Sequence, residues 1–320
     1  MPKLKVIFDT DPGIDDAMAL LLLARHPDIE LIGVTTVFGN GGIETVTRNA
    51  LYLKERFGFA APVARGADRP YHGNEVPPAT AHVHGHNGLG DIALPERIAA
   101  TVDPRPAHQL IIDLIRANPH AVTLIAVGRM TNLALALEAA PDIAGLVKDV
   151  VVMGGGFGFN GHMGNVSPVA EANIFGDPVA ADIAFGASWP VVIIGLDVTK
   201  EVTMTNAYVA ELAAHGGEDG RFVAAIAGHY ARFYQDREGI DGFFVHDASA
   251  VTYAIHPEYF ATVRGEIRVV PDGIAKGQTI IRREGQKFPP GAWDDRPLQT
   301  ICTGVQAGRV LALYRELFRP

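Results

Sequence analysis

Residues 6–24 read VIFDTDPGIDDAMALLLLA, and this stretch decides the fold. The run VIF (6–8) is short and apolar, as expected of a strand buried in a sheet. Pro12-Gly13 then makes the chain turn. The apolar pattern that follows is too long for a second strand, so residues 15–26 are predicted to form a helix. A buried strand that leads directly into a helix indicates an α/β protein.

The same alternation continues along the chain. Further strands are predicted at LIGVTTV (31–37), VTLIAV (122–127), DVVVM (149–153) and VVIIG (191–195). Helices are predicted at 44–57, 108–116 and 132–140, and after Asp177-Pro178, where aspartate is the cap and proline the first helical residue. Apolar strands separated by helices indicate an open, mostly parallel sheet flanked by helices. The last third is predicted to be more helical, with a hairpin of EIRVV (266–270) and QTIIRR (278–283). With no repeat or linker, we expect a single domain over residues 1–320.

Composition excludes several classes of protein. The chain has 320 residues, 48% of them hydrophobic, which is enough for one large core. Its net charge of -9 repels phosphate backbones, so nucleic acid is not an expected partner. The single cysteine, Cys302, excludes an internal disulfide and is expected to be a buried small apolar residue. The first residues do not resemble a signal peptide, and the longest apolar run is too short to span a bilayer. We therefore expect a cytoplasmic protein without a membrane partner.

Four aspartates follow the first strand, Asp9, Asp11, Asp15 and Asp16. They lie at the carboxyl edge of the predicted sheet, where ligands bind in open α/β folds. A helix N-terminus stabilises a carboxylate by about 0.3 to 1 kcal/mol, whereas two carboxylates about 4 Å apart repel by about 4 kcal/mol at an effective dielectric of 20. A convergent cluster therefore needs protons or a cation, and carboxylate oxygens suit calcium or magnesium. The alternative is a set of helix caps that do not converge.

Other polar residues follow the later strands. Asn40 comes after the second strand, although an isolated asparagine there is typical of a turn. The carbonyl of Val127, in VGRMTN, could serve as a metal ligand. The glycine-rich residues 152–178 carry three polar side chains, Asn165, Glu171 and Asn173. Amide and carboxylate groups without lysine or arginine suit the hydroxyls of a sugar better than a phosphate.

Two groups of histidines have competing interpretations. His246 and Asp247 stand at the start of a predicted helix, and for an isolated pair a helix cap with a neighbouring histidine is the simpler explanation. His82, His84 and His86 alternate in AHVHGHNGLGD. They could bind zinc, but alternate histidines in a glycine-rich loop are more often solvated or turned towards substrate.

Together these motifs resemble those of the nucleoside hydrolases, the inosine–uridine-preferring and pyrimidine-preferring enzymes. The family opening, Asp-Pro-Gly-x-Asp-Asp after an acidic strand end, stands here as DTDPGIDD (9–16). The motifs VFGN, HGHNGLGD, GRMTN, VVMGGG, GNVSPVAEANIFGDP and VHDASAV follow in the family's order, and the match covers nearly the whole chain. The resemblance implies a hydrolase that cleaves the N-glycosidic bond of ribonucleosides. It further implies an open α/β sheet with a Rossmann-like core, a homodimer or homotetramer, and a role in purine or pyrimidine salvage.

The resemblance also implies roles for individual residues. A calcium ion would be held by Asp11, Asp16, Asp247 and the carbonyl of Val127. Asp11 would also be the general base, and His246 would protonate the departing base. The ribose hydroxyls would be held by Asp15, Asn40, Asn165, Glu171 and Asn173, with Met153 packing nearby. The family's base-binding loops, around His84 and from Ala227 to Phe244, would place Tyr234 near the base, and they leave the preferred base open.

The reaction needs these kinds of residue. Cleavage of an N-ribosidic bond builds positive charge on the sugar ring and negative charge on the leaving base. A cation chelated by two ribose hydroxyls lowers the pKa of a bound water, and a nearby carboxylate can then take its proton. Histidine suits protonation of the base because its ordinary pKa lies near neutral pH.

Two other functions stay open on the sequence. A haloacid-dehalogenase-like phosphotransferase also begins with Asp-x-Asp after its first strand, here Asp9-Thr10-Asp11, but it would need a later lysine and a basic phosphate pocket. A non-catalytic protein could keep the calcium and ribose residues and bind ribonucleosides without turnover. Release of inorganic phosphate would reveal the first, and binding without product would reveal the second.

Overall fold

The computed structural model describes residues 2–73 and 80–318. Its strands are β1 (Leu4–Thr10), β2 (Ile29–Thr36), β3 (Val63–Arg65), β4 (Val122–Ala126), β5 (Asp149–Met153), β6 (Val191–Ile194), β7 (Thr203–Met204), β8 (Phe243–Phe244), β9 (Phe260–Val269), β10 (Thr279–Arg283) and β11 (Gln299–Val305). Its helices are α1 (Ile14–Arg25), α2 (Ile43–Phe57), α3 (Ala81–His84), α4 (Ala107–Ala117), α5 (Thr131–Ala139), α6 (Ala172–Gly176), α7 (Pro178–Gly186), α8 (Leu196–Thr199), α9 (Asn206–His215), α10 (Gly217–Glu238), α11 (Asp247–Ile255) and α12 (Ala307–Leu317). The strands and helices predicted up to residue 195 are all present.

Nine strands form one sheet in the order β10-β9-β11-β6-β5-β4-β1-β2-β3. The pairs from β3 to β6 are parallel, and β11 pairs with β6 in parallel. β9 runs antiparallel to both β11 and β10, so the predicted hairpin is present at one end of the sheet. The order β3-β2-β1-β4-β5-β6 is that of a Rossmann-like core. The predicted fold class, an open and mostly parallel sheet flanked by helices, is confirmed.

The strand order reverses at β1, which pairs with β2 on one side and β4 on the other. At such a switch point the two neighbouring connections leave in opposite directions, and a crevice opens at the carboxyl ends of the strands. The loops that follow β1, β2, β4 and β5 all begin at this edge. These loops carry most of the polar residues that the sequence singled out.

Helix α1 lies in the interior of the protein. Nine of its twelve residues are buried, because its sequence is apolar around almost the whole helix. The core divides between the two faces of the sheet, and β1 shows the division, since Val6 and Phe8 belong to one cluster and Ile7 to the other. The buried position of α1 holds Asp15 and Asp16, in its first turn, against the carboxyl edge of the sheet.

Helix α7 begins as its sequence predicts. Asp177 is the N-cap, its carboxylate accepts a hydrogen bond of 3.1 Å from the Ala180 amide, and Pro178 is the first helical residue. Cys302 is buried in β11, as expected of a small apolar residue. In residues 2–73 and 80–318, no helix is long and apolar enough to cross a membrane.

The segment from Ala227 to Phe244 differs from the loop that the resemblance implied. Most of it is the C-terminal half of α10, a helix of 22 residues. Glu218 and Asp219 stand in the first turn of α10, Arg237 in the last, and Gly239 ends the helix in the left-handed conformation with φ 69°. These are ordinary signals of helix start and stop, so the loop expectation was wrong for residues 227–238.

The single-domain organisation stays a prediction. A sheet that draws strands from residues 4–305 supports it.

Candidate active site

A pocket opens at the carboxyl edge of the sheet, beside the switch point. Of the residues singled out from the sequence, the pocket is lined by Asp15, Asn40, His82, His84, Val127, Met153, Asn165, Glu171, Asn173, Tyr234, His246 and Asp247. Asp11 and Asp16 are buried behind Asn40, whose backbone amide donates to Asp11 Oδ2 at 2.7 Å and whose side chain donates to Asp16 Oδ2 at 2.9 Å. The fold therefore brings to one place all of the residues to which the resemblance assigned a role in the site.

Asp16 holds the DPG turn in its folded shape. Its Oδ1 accepts hydrogen bonds from the Thr10 hydroxyl at 2.5 Å and from the Asp11 amide at 3.1 Å, and its Oδ2 accepts from the Gly13 amide at 2.9 Å. A side chain at position 13 would clash, because a Cβ there would lie 2.7 Å from both Asn40 Nδ2 and His84 Nδ1. The turn thus packs its aspartates tightly against the residues that line the pocket.

Asp9 is separate from this cluster. Its Oδ2 accepts from the Thr35 hydroxyl at 2.6 Å and from Asn132 Nδ2 at 2.7 Å, and it does not line the pocket. A phosphotransferase built on Asp9-Thr10-Asp11 would need both carboxylates at the reacting phosphate, and the structure does not offer that arrangement.

Apart from Asp16, the aspartates of the cluster have few hydrogen-bond donors from the protein. Within the described residues, Asp11 Oδ1 and Asp15 Oδ1 are buried without a hydrogen-bond partner. Burial, and then the neighbouring charge of Asp16, raises the pKa of Asp11 well above its ordinary value. Burial, followed by the charge of Asp15, does the same to the pKa of Asp247, and burial raises the pKa of Asp15 to about 6. Such a cluster needs compensating positive charge to be fully ionised at neutral pH.

Three of these carboxylates have the spacing of a metal site. In the described part of the chain, Asp15, Asp16 and Asp247 each offer an oxygen, and these atoms lie within 4.8 Å of one another. The group differs from the set implied by the resemblance, because it includes Asp15 and omits Asp11 and the Val127 carbonyl. The unpartnered Asp11 Oδ1 is a further buried oxygen that lacks a donor. A donor set of oxygen atoms alone fits a hard cation, so the residues present suit calcium or magnesium.

One wall of the pocket carries the polar residues of the glycine-rich segment. Glu171 caps α6, accepting from the Asn173 amide at 2.9 Å and the Ile174 amide at 3.1 Å, and it also accepts from the Gly155 amide at 3.0 Å. Asn173 Nδ2 donates to the Val127 carbonyl at 2.7 Å. Backbone partners therefore fix these side chains, which is the preorganisation that recognition of a small polar ligand needs.

The opposite wall is aromatic. Tyr234 Oη lies 2.7 Å from His246 Nε2, and Tyr230 Oη donates to Asp15 Oδ2 at 3.1 Å. The ring of His84 stacks on Tyr230 with centroids 5.4 Å apart. An aromatic wall and a polar one in the same pocket suit a ligand with a planar end and a hydroxyl-bearing end.

His246 is held on both sides of its ring. Its Nδ1 lies 2.8 Å from the Thr199 hydroxyl, while Nε2 faces Tyr234. Burial, with a smaller effect of Lys200 and then His84, lowers the pKa of His246 to about 3. This differs from the near-neutral pKa expected from sequence, because a charged imidazole is costly in a buried site. His246 is therefore a neutral ring in this environment.

Asp247 is not a helix cap. Helix α11 begins at Asp247 itself, and the helix start has no hydrogen bond from a capping side chain. The cap interpretation of the His246-Asp247 pair was wrong. The carboxylate of Asp247 faces the pocket instead, beside Asp15 and Asp16.

Arg129 was missed by the sequence analysis. It is only 6% exposed, its guanidinium lies 4.2 Å from the centre of the Phe38 ring, and within the described residues its Nη1 has no partner. Its charge lowers the pKa of Asp11, partly opposing burial. An arginine between glycine and methionine in VGRMTN was the available signal, since a charge in an apolar segment is rarely buried without a role.

Comparison with known proteins identifies the family. A family model described as "Inosine-uridine preferring nucleoside hydrolase" matches residues 6–312. The chain belongs to this family. A probable uridine nucleosidase 1 of Oryza sativa subsp. japonica is 38% identical over 315 residues, covering 98% of this chain and 96% of the relative. An inosine-uridine preferring nucleoside hydrolase of Leishmania major is 39% identical over 284 residues, covering 88% of each chain.

The fold agrees with that of solved members. A plant nucleoside hydrolase structure superposes with a TM-score of 0.95 at 34% identity and covers 100% of both chains. The sequence prediction of a ribonucleoside hydrolase, an enzyme that acts on N-glycosyl bonds, is confirmed by these relationships. Neither alternative, the phosphotransferase nor the binding protein without turnover, gains support.

Proposed function

We propose that this nucleoside hydrolase uses calcium, with Asp11 as general base and His246 as the source of the proton for the leaving base. The observation that carries the proposal is the buried convergence of Asp15, Asp16 and Asp247 at a pocket with one polar and one aromatic wall. The ligands proposed for calcium are Asp11, Asp16, Asp247 and the Val127 carbonyl. Asp15 lies close enough to compete with Asp11, and we assign it to a ribose hydroxyl because it is tied to Tyr230.

The polar wall is proposed to hold the sugar. Asp15, Asn40, Asn165, Glu171 and Asn173 would bind the ribose hydroxyls, and Met153 would pack against the ring. When bound, calcium would fix two hydroxyls and lower the pKa of a water beside them. Asp11 then takes a proton from the attacking water, and its unpartnered Oδ1 is the atom available for it.

The aromatic wall is proposed to hold the base. His84 and Tyr234 would contact it, and His246 would protonate it as it leaves. The Thr199 hydroxyl supports this direction of proton donation. If the hydroxyl donates to Nδ1 at 2.8 Å, the neutral ring carries its proton on Nε2, the nitrogen that faces Tyr234. To protonate the base, the ring must first take up a proton from solvent, and it returns to the neutral form as the Nε2 proton passes to the departing base.

The substrate class follows from the relatives. The two sequence relatives described above are named for uridine or for inosine and uridine, and we propose that uridine or inosine is the preferred ribonucleoside. A panel assay of ribose release from common nucleosides, with and without chelator, tests the whole proposal. An enzyme that cleaves only adenosine, or that is unaffected by a chelator, would contradict it. We further propose a cytoplasmic homodimer or homotetramer that serves nucleoside salvage.

Metal removal is expected to destabilise the protein in a pH-dependent way. Above the ordinary pKa of aspartate, buried carboxyls with raised pKa values cost stability unless a cation compensates them. Stripping the metal should therefore lower the thermal midpoint more at pH 7.5 than at pH 5, where protons replace it. Calorimetry of chelated and calcium-reloaded protein measures this. Metal analysis of the purified protein should give calcium, and zinc held by His82, His84 and His86 would disprove the assignment.

His246→Ala should separate protonation of the base from water attack. A natural base leaves badly without a proton, so the variant should lose about 10²- to 10⁴-fold on a ribonucleoside. A nitrophenolate leaves well as an anion, so activity on p-nitrophenyl riboside should largely survive. His256→Ala is a matched control, because His256 is at the other end of α11 and pairs with Glu258 at 3.0 Å. Equal losses of His246→Ala on both substrates would show that His246 is not the acid.

A further inference from the structure

The glycine-rich segment after β5 is held in place through its backbone amides. The Gly155 amide donates to Glu171 Oε2 at 3.0 Å, and the Gly156 amide donates to the Thr279 hydroxyl at 3.1 Å. The next contacts go to one residue, Asp197, which binds both Phe157 and Phe159. The segment has no regular strand or long helix of its own, so these side chains determine its path towards Asn165.

Of these side chains, Asp197 makes the most hydrogen bonds to the segment. The Phe157 amide lies 3.1 Å from its Oδ1 and 3.0 Å from its Oδ2, and the Phe159 amide donates to Oδ1 at 2.7 Å. Its backbone carbonyl accepts from Asn160 Nδ2 at 2.8 Å. The residue is 0% exposed and, in residues 2–73 and 80–318, forms no ion pair within 4.0 Å. The hydrogen bonds that compensate this buried carboxylate come from loop amides, so its position and the path of the segment depend on each other.

The local packing leaves the carboxylate little freedom. A Cβ at Gly195 would lie 2.7 Å from Asp197 Oδ2 and 3.1 Å from the Gly155 carbonyl. Burial raises the pKa of Asp197 to about 6, and the amides of Phe157 and Phe159 oppose this effect, so the group is mainly ionised at neutral pH. His162 is the nearby titratable side chain, and it pairs with Glu201 at 2.8 Å on the surface side of the segment.

The far end of the segment reaches the pocket. Gly156 packs against Met163, where a Cβ would come within 2.2 Å of the Met163 carbonyl, so the first and last parts of the segment lie against each other. Asn165 follows at once and lines the pocket, with its Oδ1 accepting from the Ala172 amide at 3.0 Å. A shift at Phe157 or Phe159 would therefore be passed on to Asn165.

We propose that Asp197, which does not line the pocket, is a positioning residue for the sugar side of the site, because its carboxylate fixes the segment that presents Asn165. This inference rests on the proposed role of Asn165 in binding the ribose. Asp197 lies in α8, which directly follows β6, so its carboxylate ties the segment to the parallel sheet. The Asn165 carbonyl is held separately by Arg237 of α10.

Asp197→Asn tests the proposal with little change of shape. The amide keeps one acceptor but turns an NH₂ group towards backbone amides that also donate. Misplacement of a binding group by about 1 Å can cost about 10²-fold, so we expect kcat/KM for the ribonucleoside to fall by about 10- to 100-fold, mainly through KM. Glu201→Gln is the matched control, because it weakens the surface contact to the same segment, and its kcat/KM should stay within about twofold.

A double-mutant cycle separates positioning from a general loss of structure. Asn165→Ala alone should impair binding, and Asp197→Asn should add less than about threefold in that background. The proposal would be overturned if the losses of the two single variants multiply in the double variant, or if Asp197→Asn keeps full activity. If Asn165→Ala itself has no effect, the proposed ribose contact fails instead. Should Asp197→Asn not fold, Gly195→Ala displaces the same carboxylate without removing its charge, and it should raise KM only when Asn165 is present.

Discussion

Asp11→Ala is expected to abolish nearly all activity, with a loss of about 10⁴-fold or more in kcat/KM, since both a general base and a metal ligand are removed. The loss should be equally severe on a ribonucleoside and on p-nitrophenyl riboside, because both reactions need the activated water. Steady-state kinetics on the two substrates measures this. The same comparison distinguishes Asp11 from His246, whose loss should matter for the natural base alone.

Two further variants keep this result interpretable. Asp11→Asn retains an oxygen that can accept from the Asn40 amide, a hydrogen bond of 2.7 Å in the structure, so its fold should be preserved while the base is lost. Asp9→Asn alters a neighbouring buried carboxyl that is tied to Thr35 and Asn132 and lies outside the pocket. Asp9→Asn should lose far less activity than Asp11→Asn. An Asp11→Asn enzyme with wild-type turnover would remove Asp11 from the mechanism.

2′-Deoxynucleosides are expected to be very poor substrates. The polar wall consists of fixed carboxylate and amide groups, and a site that hydrogen-bonds a hydroxyl rejects the analogue without it by about 10⁴-fold or more. The rejection has two sources, because the missing hydroxyl would also leave the cation without one of its proposed ligands. Comparison of kcat/KM for uridine and 2′-deoxyuridine measures the effect.

The variant Asn173→Ala provides the internal control for this comparison. Asn173 is oriented by its hydrogen bond to the Val127 carbonyl. If its side chain contacts a sugar hydroxyl, the substitution should lower kcat/KM more for ribonucleosides than for deoxynucleosides. The ratio between the two substrates should therefore shrink. Equal turnover of uridine and deoxyuridine by the unaltered enzyme would refute the proposed sugar recognition.

Much of the fold was predictable because its signals are local. Apolar runs such as DVVVM mark buried strands, and Asp177-Pro178 marks a helix start, without reference to the rest of the chain. Strand β11 was not predicted, because QTICTGV mixes polar and apolar residues and its pairing partners are distant in sequence. Helix α10 was taken for a loop because the expectation came from the resemblance and not from the caps that its own sequence carries.

In the candidate site, too, the features with local signals were predictable and those that depend on distant parts of the chain were not. Aspartates in one motif can be recognised from spacing, and the structure places Asp15 and Asp16 together as expected. The pKa of His246 could not be predicted, because it depends on burial beneath residues from other elements, with a smaller contribution from Lys200. Arg129 and Asp197 escaped notice for the same reason. Each acts on the site through contacts between segments that are far apart in the sequence.

The aromatic wall has a consequence for how this enzyme could change its substrate range. Tyr230, Phe233, Tyr234 and Arg237 all line the pocket and follow the i, i+3, i+4, i+7 spacing of a single helix face. The polar wall comes from strand ends and the segment around Asn165, on other parts of the chain. Three of these side chains also bond residues with other proposed roles, Tyr230 to Asp15, Tyr234 to His246 and Arg237 to the Asn165 carbonyl. Phe233 has no polar atom for such a bond, so its substitution should alter base acceptance with the least effect on the ribose side. A library randomised at Phe233 is therefore the economical starting point in a search for new nucleoside specificities.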